Sequence, residues 1–89
     1  MAKKRRKLNK DFERKIYSSK KNVELVLAKI YDIDDEDIQK EYMSAFNKVV
    51  FIYEELKEDY ERHGFSDNSE ELLTSYKNAF NLFESEFEI

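Results

Sequence analysis

Apolar side chains recur along this chain at steps of three and four. Phe12, Ile16, Val23, Val26 and Ile30, with Ser19 in the same phase, form a first stripe, and Leu8 and Leu27 widen it. That spacing lines one face of a helix. Asn9 supplies an N-cap, and Asp11 and Glu13 load the first turn, where the helix dipole favours anions. The pattern predicts a helix over about residues 9–31. Ser18 and Ser19 are weak helix formers and offer a break, with Asn22 as a second cap. The apolar phase runs through them without a shift, which favours one helix over two.

A second stripe follows: Ile38, Tyr42, Ala45, Val49, Ile52, Leu56 and Tyr60, flanked by Phe46 and Tyr53. It predicts a helix over about 35–63, capped by Asp34 or Asp35. Gly64 is the only glycine and stands where that helix stops. It fits a left-handed C′ position, with Phe65 folding back on Tyr60 in a Schellman ending. A third stripe, Leu73, Tyr76, Phe80, Phe83 and Phe87, predicts a helix over about 69–87, capped by Asp67, Asn68 or Ser69. Both connections are short, so neighbouring helices are antiparallel. The expected fold is all-α: a single up-down-up three-helix bundle over residues 9–89, with a long central helix. A flexible basic arm, residues 1–8, precedes it. A coiled-coil homodimer is the alternative, since the second helix is long for so small a bundle.

Composition narrows the picture without changing it. The chain has 89 residues, 40% charged and 40% hydrophobic, with no proline and no cysteine. One domain of this size buries about 60–65% of its unfolded surface. Without cysteine there are no disulfides and no thiolate metal sites. No apolar h-region follows the basic start, and no stretch nears a membrane span. A cytoplasmic protein is expected.

Charge is strongly segregated. Residues 1–21 hold ten basic residues against Asp11 and Glu13, a net of +8. Residues 22–89 hold six basic and 18 acidic residues, a net of −12. Lys3, Lys4, Arg5, Arg6, Lys7 and Lys10 form an arm able to lie along phosphates. It lacks the interleaved aromatics of a single-strand platform. The up-down-up order sets it near Glu58, Asp59, Glu61, Asp67, Glu70 and Glu71, its own acids. At the other end, Asp32, Asp34, Asp35, Glu36 and Asp37 meet Glu84, Glu86 and Glu88. Glutamates at a helix C-terminus oppose its dipole, so helix stability would not select them.

Catalytic equipment is missing. His63 is the lone histidine and sits in a last helical turn, where it meets free carbonyls. The run Asp32–Asp37 resembles the start of a calcium loop, but Asp37 stands where that loop needs glycine and Met43 where it needs glutamate. Neither a cofactor nor a metal is expected. Three apolar residues fall off the stripes: Leu25, Phe51 and Leu82. Phe51, in a field of Lys40, Asn47, Lys48 and Glu55, is the best candidate for a binding hot spot.

These observations favour a small non-catalytic binding protein, an inhibitor or regulator. It would dock an acidic and aromatic helical surface onto a basic protein target, including one that normally holds nucleic acid. The residues assigned to that surface are Asp32, Asp34, Asp35, Glu36, Asp37, Phe51, Glu84, Glu86 and Glu88. A nucleic-acid-binding protein using the basic arm is the second expectation. The residue usage resembles that of AT-rich bacterial and phage genomes. In size the chain is similar to bacteriocin immunity proteins, which are helical bundles, and to phage anti-defence inhibitors, although no motif specifies either.

Overall fold

A computed structural model describes residues 7–87. It contains three helices: α1 (Lys10–Tyr31), α2 (Glu36–His63) and α3 (Asp67–Glu86). They run up, down and up. Aromatic pairs between α2 and α3 fix the antiparallel register: Tyr42 meets Phe87 and Phe83, Phe46 meets Phe83 and Phe80, and Tyr53 meets Tyr76. At one end of the α1–α2 pair, Phe12 lies 5.5 Å from Tyr60 between ring centroids. At the other, the Gln39 amide donates to the carbonyls of Ile30 and Tyr31, both at 3.2 Å.

Each helix start has a side-chain cap. Asn9 Oδ1 accepts the Phe12 N–H at 3.0 Å. Asp35 Oδ1 accepts the N–H groups of Asp37 and Ile38, which satisfies donors that would otherwise face water. For α3 the cap is Ser66, not Asp67, Asn68 or Ser69. Ser66 Oγ accepts the Ser69 N–H at 3.2 Å, and the Ser66 N–H donates to Ser69 Oγ at 2.7 Å. This is a capping box with serine in the place usually held by Glu or Gln. The box buries Ser69 completely and starts α3 two residues early.

α1 is unbroken at its serines. Ser19 Oγ donates to the Lys15 carbonyl at 2.8 Å, one turn back. That bond satisfies the hydroxyl and lets Ser19 be buried at mid-helix.

The core face of α2 differs in phase from the sequence stripe. Phe46, Val49, Tyr53, Leu56 and Tyr60 are buried, whereas Ile52 is half-buried and Ile38 is 44% exposed. The reason is reach. Phe87, the last described residue, packs edge-on against Tyr42, so the first turn of α2 extends about 9 Å beyond it. Leu8 is also exposed, because it precedes the cap and is outside the helical phase.

The Schellman ending does not form. Gly64 has φ 76° and ψ −160°, a positive φ with extended ψ. Its N–H donates to the Tyr60 carbonyl at 2.8 Å, but the Phe65 N–H turns away from the helix. It donates to the Lys7 carbonyl at 2.6 Å, closing a parallel bridge between Lys7 and Gly64. The extended ψ is what aims that N–H at Lys7. Phe65 then packs edge-on against Phe12 at 5.1 Å instead of folding back on Tyr60. Lys7, assigned to the arm, is thus fixed to the bundle through its backbone.

Phe46 is fully buried at the centre of the α2–α3 contact, while Phe80 is half-buried. Phe46→Ala should therefore cost about 3–5 kcal/mol, the usual value for a buried ring, and Phe80→Ala distinctly less. Urea unfolding of the two variants checks that order. Gly64 occupies a region essentially reserved for glycine, so Gly64→Ala should cost about 1–3 kcal/mol. An unchanged urea midpoint would contradict the corner described here.

Tyr53 and Tyr76 titrate above the ordinary 10.0. For Tyr53 burial is the main cause, and Glu24, Glu61 and Glu54 add to it. For Tyr76 burial again leads, the bond to Ser19 opposes it, and Tyr53 and Glu84 raise it further. A raised pKa in the folded state favours the neutral phenol there. This contribution is intact below pH 10.0 and is lost as pH rises through the raised values. Urea midpoints on either side of pH 10.0 should fall on the alkaline side, and less so in Tyr53→Phe/Tyr76→Phe.

Candidate binding surfaces

The α1–α2 corner is a short and well-tied turn. The Asp32 N–H reaches the Ala28 and Lys29 carbonyls at 3.2 Å, and the Ile33 N–H reaches Ile30 at 3.1 Å. With Gln39 bridging from α2, these bonds hold residues 32–35 against both helices. Asp32, Asp34, Asp35, Glu36 and Asp37 are all exposed, with one Asp35 oxygen turned onto the α2 N-terminus as its cap. The antiparallel α3 brings exposed Glu84 and Glu86 to the same end of the bundle. None of these carboxylates is ion-paired with a described cation. Glu88 lies outside the described residues.

The acids at this pole differ in what explains them. Asp35, Glu36 and Asp37 cap and charge the N-terminus of α2, as any helix start would favour. Asp32 follows the C-terminus of α1, and Glu84 and Glu86 stand in the last turn of α3, which has no basic residue. Their charges oppose the local dipoles, so helix stability does not account for them.

Two apolar side chains stand among these acids. Tyr31 is 68% exposed at the end of α1, and Ile38 is 44% exposed in the first turn of α2. The sequence stripe assigned Ile38 to the core, and Tyr31 fell on no stripe. The missed signal was relative helix length: α2 overshoots the described end of α3, so among the described residues no turn of α3 lies level with Ile38.

Phe51 is 61% exposed on the solvent face of α2. It lies fourteen residues from Asp37 on the same helix, about 21 Å along its axis. The fold does not join it to the acidic pole.

At the basic end, Lys3, Lys4, Arg5 and Arg6 lie outside the described residues. Lys10 is exposed at the first position of α1. Lys7 Nζ sits 5.9 Å from the Phe65 ring centroid, a cation–π distance. Neither lysine forms an ion pair with Glu58, Asp59, Glu70 or Glu71 among the described residues. The close pair at this end is Arg14 with Asp11 at 3.7 Å, both highly exposed and therefore weak. The Tyr60 hydroxyl secures the end instead. It donates to Glu13 Oε2 at 2.6 Å and accepts the Asn9 N–H at 3.0 Å.

A further feature was not anticipated from the sequence. α1 and α3 both pack on α2 but scarcely on each other, leaving a groove of about 590 Å³ between them. Its walls carry Arg14, Lys15, Lys29 and Lys77. Leu25, Val26 and Phe80 supply apolar surface within it. The direct link across the seam is the Tyr76 hydroxyl, which donates to the Ser19 carbonyl at 3.3 Å.

His63 is exposed at the end of α2. Among the described residues no group of three or more His, Asp or Glu side chains is placed to hold a metal ion, and no helix is long and apolar enough to cross a membrane. No protein-family model matches this chain, and no curated protein or solved structure proves similar to it.

Proposed function

We propose that this chain is a small non-catalytic binding protein, an inhibitor or regulator. It docks its acidic pole onto a basic surface of a protein target, and such surfaces include those that hold nucleic acid. The observation that carries this reading is the composition of one rigid corner. Exposed carboxylates that oppose their helix dipoles, Asp32, Glu84 and Glu86, form no ion pair with a described cation and share one end of the bundle with two exposed apolar side chains, Tyr31 and Ile38. An apolar centre within a polar rim is the usual anatomy of a protein-binding patch. Tyrosine is enriched among residues whose truncation costs most. The carboxylates concentrate negative potential at one end and steer a basic partner toward it. Tyr31 and Ile38 then set how long the partner stays.

The test uses the full chain as bait, followed by kinetics against the protein it captures. Glu84→Lys/Glu86→Lys should slow association and weaken its salt dependence. Its melting temperature should be no lower than wild type, because cations suit a helix C-terminus. Tyr31→Ala/Ile38→Ala should act mainly on dissociation. Wild-type kinetics in both variants would remove the acidic pole from the binding surface.

A further inference from the structure

The groove between α1 and α3 runs along the side of the bundle and reaches the acidic pole at Glu84, but the rest of its charged lining is cationic. We propose that it is a second docking site, built to take an amphipathic helix whose apolar row is flanked by carboxylates. The helix would come from a protein partner and complete a four-helix bundle.

Three observations support this occupant. The first is incomplete closure. α1 and α3 run parallel on α2, and beyond the bond between Tyr76 and Ser19 they leave open space along their seam. Polar Ser18 and Asn22 on α1 and Asn81 on α3 interrupt the apolar lining of the two walls. From Arg14 to Lys29 the groove runs fifteen residues of α1, about 22 Å, or roughly four turns of a docked helix.

The second is the apolar material. Leu25 is 57% exposed and leans into the groove beside Val26 and Phe80. On α1 alone Leu25 has no packing role. A helix laid along the seam would meet it with side chains at i, i+3 or i+4, and i+7, the spacing of helix-in-groove recognition.

The third is charge. The chain carries a net −4, yet this groove presents Arg14, Lys15, Lys29 and Lys77 against the single acid Glu84. Lysines and an arginine bordering an apolar strip are complemented by glutamates bordering an apolar row. A nucleic-acid strand fits less well. Single-strand binding needs exposed ring faces for stacking, and the Phe80 and Tyr76 rings pack against Phe46, Tyr53 and each other.

A displayed library of helical peptides of about 18 residues tests the proposal. Each peptide carries a fixed leucine row, and its flanking positions are randomised among Glu, Lys, Gln and Ser. Selection on the full chain should enrich Glu at the flanks. Enriched peptides should lose affinity by about tenfold or more for Lys15→Glu/Lys77→Glu and for Leu25→Asp. They should bind Tyr31→Ala/Ile38→Ala as they bind wild type, which separates this groove from the acidic pole. All substituted positions are solvent-exposed, and circular dichroism melts would confirm that the variants fold. Absence of enrichment, enrichment without acidic bias, or binding that survives both groove variants would overturn the proposal. So would two other results: a homodimer in sedimentation that Leu25→Asp dissolves, or a single-stranded oligonucleotide whose binding is lost in the charge-reversed groove.

Discussion

The buried face of α2 is the one surface on which both other helices depend. Phe46, Val49 and Leu56 are almost wholly removed from water, and α3 packs on that face through Phe83, Phe80 and Tyr76. α1 packs on the same helix through Ile30, Val26 and Phe12. The two outer helices gain little from each other. A conventional three-helix bundle closes all three seams; this one leaves the α1–α3 seam lined with polar and charged side chains. The aromatic pairs suit such an arrangement. Tilted and edge-on contacts between large rings bury much area for each residue, so the α2–α3 interface, the more extensive of the two on α2, can hold a helix that has weak support from its other side.

Both chain reversals are set by hydrogen bonds more than by burial. At the α1–α2 corner, Gln39 reaches back to the last carbonyls of α1 while Asp35 caps α2. At the α2–α3 corner, Gly64 adopts an extended conformation with positive φ, Phe65 pairs with Lys7, and the Ser66–Ser69 box starts the next helix at once. These bonds make the ends rigid, and the candidate surfaces inherit that rigidity. A patch on a tied corner loses less entropy on binding than one on a loose loop.

Much of this was legible in the sequence because periodicity and capping act locally. The three helices, the Asn9 cap, Asp35 as one of the two caps offered for α2, the stop at Gly64 and the exposure of Leu25, Phe51 and Leu82 follow from spacing and residue type alone. What failed were features that depend on a partner segment. A Schellman ending is a local inference, and a remote carbonyl, that of Lys7, displaced it. Ile38 is in phase with the core but lies on a turn that outruns its neighbour. Ser69 reads as one candidate cap of the third helix and is instead the N3 half of a reciprocal cap led by Ser66. The groove was invisible because it depends on which two helices do not pack. A stripe of apolar residues says that a helix has a buried side, not how that side is divided between two neighbours.

Charge segregation gives the molecule its functional logic. The acidic excess of residues 22–89 falls largely on exposed positions of α2 and α3, while α1 is basic along most of its length. Closure of α1 on α3 would have set Arg14, Lys15 and Lys29 against a side of α3 that carries both Lys77 and Glu84. The open seam leaves Arg14, Lys15, Lys29 and Lys77 lining one groove, while Asp32, Asp34, Glu84 and Glu86 are exposed at one end of the bundle. The fold forgoes packing area between its outer helices, and the result is two surfaces of opposite sign held apart on one rigid frame.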